Sequence, residues 1–168
     1  MNIKEEKITL GDILISQFKD KWRMLKQTID KIPDDKWHIG KNKWIYSWGV
    51  YHVIETADFY SLTYHEDMKW GKVADIDWKK DSEEEIEQKK LKLTKKMMYE
   101  YMDEMDKRIT EFLKKNSDEN LLKKDSYYWF DSIYGKLIYL LRHNSFHIGE
   151  LAKALRDWDC ERFKWGRE

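Results

Sequence analysis

Apolar residues return at intervals of three and four along four stretches of this chain, and a single proline, Pro33, stands among them. That spacing lines the apolar side chains along one stripe of a helix, and a chain with so few backbone breakers has little else to fold into. The first stripe runs Leu10, Leu14, Phe18, Trp22, Leu25, Ile29 and Ile32. Thr9 and Asp12 predict a capping box at its start, Ile8 is placed to staple onto Ile13, and Pro33 ends the helix. The second helix is expected from about Ser47, as N-cap, to about Tyr64. Val50, Ile54 and Ala57 lie on one of its faces and Trp48, Phe59 and Leu62 on another, so most of its circumference is apolar. A third, the longest, is expected from about Ser82 to about Lys115, with the stripe Ile86, Leu93, Met97, Tyr101, Met105, Ile109 and Phe112. The fourth runs from about Ser132 to about Trp158 with Leu137, Leu141, Ile148, Leu151 and Leu155 inward. These patterns predict an all-α fold, a four-helix bundle forming one domain over 1–168, with no internal repeat or low-complexity linker to mark a second.

The links between these helices are roughly a dozen residues or more, longer than the short turns of an up-down bundle. Long crossover connections allow consecutive helices to sit apart. The links also carry large aromatics: Trp37 and Trp44 in the first, Trp70 and Trp78 in the second, Tyr127 to Phe130 in the third. Such residues predict loops that fold back as a lid or a pocket wall.

Charge narrows the function. Thirty-two basic and 32 acidic residues cancel, which removes the electrostatic footprint of a nucleic-acid binder. The mean hydropathy of −0.88 is that of a heavily charged surface. The 9 Trp, 10 Tyr and 6 Phe are what a disordered chain lacks. No stretch has the apolar length of a signal peptide or a membrane span, and Cys160 is the sole cysteine. The expectation is a soluble, cytoplasmic protein without disulfides.

Two of the five histidines, His143 and His147 in LLRHNSFHIGELAKAL, stand four apart on the fourth helix. That spacing puts both rings on one face, one turn apart, where both can point at a single ion. Two hydrogen-bonded core histidines would show the same spacing. His52, in SWGVYHVIETADFY, sits within a helix that must be largely buried. Three histidines on two buried helices need three separate hydrogen-bond solutions or one shared metal, and the shared metal is the simpler account. Glu150 continues the His143–His147 face, and Glu55 lies one turn after His52. Either carboxylate could orient a ligand histidine or serve as a general base; either could instead pair with a helix lysine or arginine.

The order of these motifs, His52 in YHVIETADFY followed by His143, His147, Gly149 and Glu150 in HNSFHIGE, resembles the DinB/YfiT-like superfamily. The segment IPDDKWHIGKNKWIYSWGVYH is similar to that family's approach to its first histidine, and the likeness extends over nearly the whole chain. Glu150 departs from it, because the family often has glutamine there. The resemblance implies a four-helix bundle with a crossover, three histidine ligands and open metal positions filled by water. It also implies a metal-dependent enzyme, either a hydrolase or a transferase using a small-molecule substrate such as a low-molecular-weight thiol. Three neutral imidazoles leave a divalent charge uncompensated, as a catalytic site does. Zinc is the first expectation, with nickel or iron next. The alternative is a non-catalytic bundle of stress-response type in which metal or bare histidines stabilise a binding module.

Other residues are set aside. His38 lies in a loop beside tryptophans, and His65 is about 20 Å of helix from His52. The Met97, Met98, Met102 and Met105 stripe reads as core filling, with a homodimer interface left open.

Overall fold

A computed structural model describes residues 7–41, 44–161 and 164. Among these, the regular elements are helices α1 (Leu10–Lys31), α2 (Tyr46–Ser61), α3 (Glu83–Lys90), α4 (Lys95–Lys115), α5 (Asp118–Leu121) and α6 (Ile133–Asp157). Strands β1 (Gly40–Lys41) and β2 (Trp44–Ile45) and two 3-10 turns complete them. The fold is all-α but for that two-stranded antiparallel ribbon, which pairs Gly40 with Ile45 and Lys41 with Trp44. Among the described residues no helix is long and apolar enough to cross a membrane.

Local sequence accounts for most helix ends. The Thr9 hydroxyl accepts the Asp12 N–H, and the Asp12 carboxylate accepts the Thr9 N–H, closing the expected box on α1. Ile8 and Ile13 do not form a covered staple, because they are 72% and 48% exposed. The first turn of α1 instead turns Gly11 and Leu14 inward, and its Leu10 N–H donates to Asp118 at the head of α5. Ser47 does not cap α2 either. It is buried within the first turn with its Oγ 3.0 Å from His38 Nδ1, and α2 starts one residue earlier without a side-chain cap.

The long third helix is two. α3 ends at Lys90, and Thr94 caps a new start by accepting the Met97 N–H. The break lets fully buried Leu93 enter the core while its carbonyl accepts the Trp37 indole N–H at 2.7 Å. Helix propensity favours continuing through this stretch; burying Leu93 and satisfying Trp37 outweighs it. Met98, Met102 and Met105 are core residues of α4, and Met97 packs at its margin.

The four long helices lie mainly against two others each: α1 and α2 both contact α4 and α6. Consecutive α1 and α2 are therefore not principal neighbours, an arrangement the long first link permits. Fully buried Phe18, Leu25 and Ile29 of α1, Val50 and Ile54 of α2, Met105 of α4 and Leu140 of α6 fill the space between them. The α2–α6 seam is the most extensive of these contacts, and it carries the histidines.

Candidate metal centre

His52 on α2 meets His143 and His147 on α6, each ring half-buried and each offering one nitrogen within 4.8 Å of the other two. Ring centroids are 5.3 Å apart for His52–His143, 4.7 Å for His52–His147 and 4.6 Å for His143–His147. Among the described residues no carboxylate or thiol joins this group.

Two of the rings are oriented from behind. His147 Nδ1–H donates to Glu150 Oε2 at 2.7 Å, which leaves Nε2 for the interior of the group. His143 Nδ1 contacts Asn144 Oδ1 at 3.3 Å. Asn144 is fully buried and its orientation is fixed independently: its Nδ2 donates to the Val53 carbonyl and its Oδ1 accepts the Thr56 hydroxyl, both at 3.0 Å. The amide thus ties α6 to α2 and presents an acceptor to His143, which favours the tautomer with its proton on Nδ1. Burial, reinforced by the neighbouring His147 and His143, pushes His52 down to about 4. Burial likewise lowers His143, against the opposing hydrogen bond that the ring makes to the Asn144 Oδ1. Both shifts favour the neutral ring, the state in which an imidazole can bind a metal.

Glu55 is placed elsewhere. Its Oε1 accepts the Tyr51 hydroxyl at 2.7 Å and the Gly71 N–H at 2.6 Å, and the residue is 4% exposed. Burial pushes its carboxyl above the ordinary range, and the two hydrogen bonds pull part of that back. Gly71 has a φ of +83°, open to glycine at little cost, so the α2–α3 link can turn its amide onto Glu55. Glu55 clamps that link; it is not part of the histidine group. His38 and His65 are also outside it, the latter against Trp129 and paired with Glu66 at 3.2 Å.

Of the three aromatic links, the first folds back onto this group. Trp44 of β2 stands 5.3 Å from the His52 ring and 6.1 Å from His147. It also borders a cleft of about 560 Å³ that runs along the last turns of α6 from His147 and Glu150 to Trp158. Gly49 makes this packing possible, because a Cβ there would lie 3.2 Å from Leu151 Cδ2 and 3.3 Å from Trp44 Nε1.

Sequence reasoning missed Asn144, although a signal was present. Leu137, Leu140, Ile148 and Leu151 are buried along α6, and an amide in the middle of that stripe must be there for its hydrogen bonds. Leu140, rather than Leu141, is the fully buried member of its turn. Compared with models of known families, with curated proteins and with solved structures, the chain has no match.

Proposed function

We propose that this chain is a DinB/YfiT-like four-helix bundle that holds one divalent ion with His52, His143 and His147 and works as a metal-dependent enzyme. The observation that carries this reading is the meeting of three imidazole nitrogens within 4.8 Å, from helices about ninety residues apart in sequence. The donor chemistry fits: three imidazoles, two with Nδ1 engaged and Nε2 left for coordination. Zinc suits such a set first, with nickel or iron as alternatives. When bound, an ion on three neutral ligands activates a coordinated water or thiolate.

The chain's own groups do the rest. Glu150 keeps the proton on Nδ1 of His147 and holds the ring in place. Asn144 does the same for His143, and Trp44 shields His52 on one side. With no carboxylate of the described residues in the group, a bound ion would keep coordination positions and charge for water or for a small-molecule donor. This favours a hydrolase or a transferase of a low-molecular-weight thiol over a closed structural site. It also suits a reducing compartment such as the cytoplasm, where Cys160 stays a thiol.

Elemental analysis of untagged protein, followed by zinc titration of the metal-free form, tests the reading. One ion per chain is expected; a folded protein that takes up no zinc, nickel or iron overturns it. Asn144→Leu is expected to weaken zinc binding about 10–100-fold through loss of the ring-orienting acceptor. In metal-free wild type, nitrogen NMR of the imidazoles should report Nδ1–H on His143. An unchanged tautomer and affinity in the variant would remove Asn144 from the account.

A further inference from the structure

The cleft beside His147 has a composition that selects a ligand. Its floor is Tyr46, Leu151 and Ala154, it closes at Trp158, and the β1–β2 ribbon walls it with Lys41 and Trp44. The Tyr46 and Trp158 rings lie 5.9 Å apart at its far end. From His147 to Trp158 the cleft follows roughly 16 Å of helix. Three of its charged groups already have partners: Glu150 holds His147, and Lys153 pairs with Asp157. Lys41 is exposed and has no ion-pair partner among the described residues.

We infer that this cleft is the substrate groove of the histidine site and takes an elongated organic anion with a flat apolar body. The inference rests on the metal reading for one of its two sources of anion preference and is independent of it for the other. Of the three histidines His147 lines the cleft, so an ion on the group would put net positive charge behind that end, offset in part by the Glu150 carboxylate, and Lys41 adds a cation along the wall. The apolar floor and aromatic end match a ring system, which stacks or packs edge-on at such a surface. A strongly cationic ligand would meet repulsion at both positive groups, and a sugar-like one would leave the apolar floor unused.

A matched pair of probes tests this: 8-anilinonaphthalene-1-sulfonate and the uncharged N-phenyl-1-naphthylamine, which has the same rings without the sulfonate. Each is titrated into metal-free and zinc-loaded full-length protein, followed by probe fluorescence and quenching of tryptophan emission. The sulfonate is expected to bind the metal-free protein, to bind at least about tenfold tighter than the neutral probe, and to tighten further with zinc. Ala154→Trp, which fills the floor, should weaken both probes about tenfold or more while zinc uptake is unchanged. Lys41→Glu, on the exposed ribbon, should weaken the sulfonate alone. Equal affinities for the two probes overturn the anion preference, and full binding by Ala154→Trp overturns the location. If the protein takes no zinc, the metal reading falls. The cleft is then judged on Ala154→Trp and Lys41→Glu in the metal-free protein, where an unaltered sulfonate affinity in both overturns it as well.

Discussion

Replacing His52 by alanine is expected to strip the protein of most of its bound metal. The remaining pair, His143 and His147, has one turn of α6 between its members and nothing from α2 to close on the ion. His143→Ala and His147→Ala should look the same in metal content, because each also leaves two imidazoles. A ligand that binds only the folded state adds about 2.7 kcal/mol at a free concentration a hundred times its Kd. With a midpoint shift of about 2–4 °C per kcal/mol in a domain of this size, chelation should lower the wild-type midpoint by roughly 5–10 °C. The three variants should barely respond to chelator. His38→Ala and His65→Ala should keep both metal and response, since neither ring belongs to the group. Protons compete for the same lone pairs, so occupancy should fall as pH drops below the imidazole range. A His52→Ala protein with full occupancy would defeat the three-histidine site and the family resemblance with it.

The largest loss of folding stability is expected outside the three-histidine group, at Asp125. Its carboxylate pairs with Lys136 Nζ at 2.9 Å, with the two side chains 2% and 6% exposed, and also accepts the Tyr127 N–H at 2.8 Å. Burial lowers the Lys136 pKa, and Asp125 only partly restores it. Asp125→Asn keeps an acceptor for Tyr127 and removes the charge, leaving an ammonium buried at the start of α6. Losing one partner of such a pair costs about 3–5 kcal/mol. The lower end is expected here, because Lys136 also reaches the Leu62 carbonyl at 3.3 Å and the Tyr127 ring at 4.0 Å. Adding Lys136→Met to Asp125→Asn should recover most of that loss, since no buried charge is then left. Denaturant unfolding of the two variants decides it. A single variant within about 1 kcal/mol of wild type would mean that water reaches the pair and that the core is looser there than the packing implies.

How much of this was legible in the sequence differs from residue to residue. The i, i+4 pair His143 and His147 was legible because helix geometry alone brings the rings together. The place of His52 was legible only as an economy, three buried imidazoles sharing one solution, since nothing local says which face of α2 meets α6. Glu55 shows the limit of that method. Three positions along a helix is about 300° of rotation, and that offset is enough to put its carboxylate on the Tyr51 and Gly71 side of the seam. The division of the third helix at Leu91–Thr94 was hidden because a threonine cap inside a lysine-rich helical pattern resembles any other polar position. Only the need to bury Leu93 and partner Trp37 distinguishes it. The β1–β2 ribbon was missed for a related reason: two residues per strand carry no readable alternation, and their pairing places Trp44 over His52.

The separation of His52 from its two companions also bears on the order of events during synthesis. At roughly 5–20 residues per second, the ribosome needs about 5–20 s to make the ninety or so residues between His52 and His143. Throughout that interval His52 is without both of its companions, and His143 and His147 arrive together on a helix that must dock before the three converge. A nascent chain therefore lacks the three-histidine group. An ion held by that group would be chosen by the finished fold, and metal recovered with the protein would then reflect what circulates around folded molecules and can exchange with them.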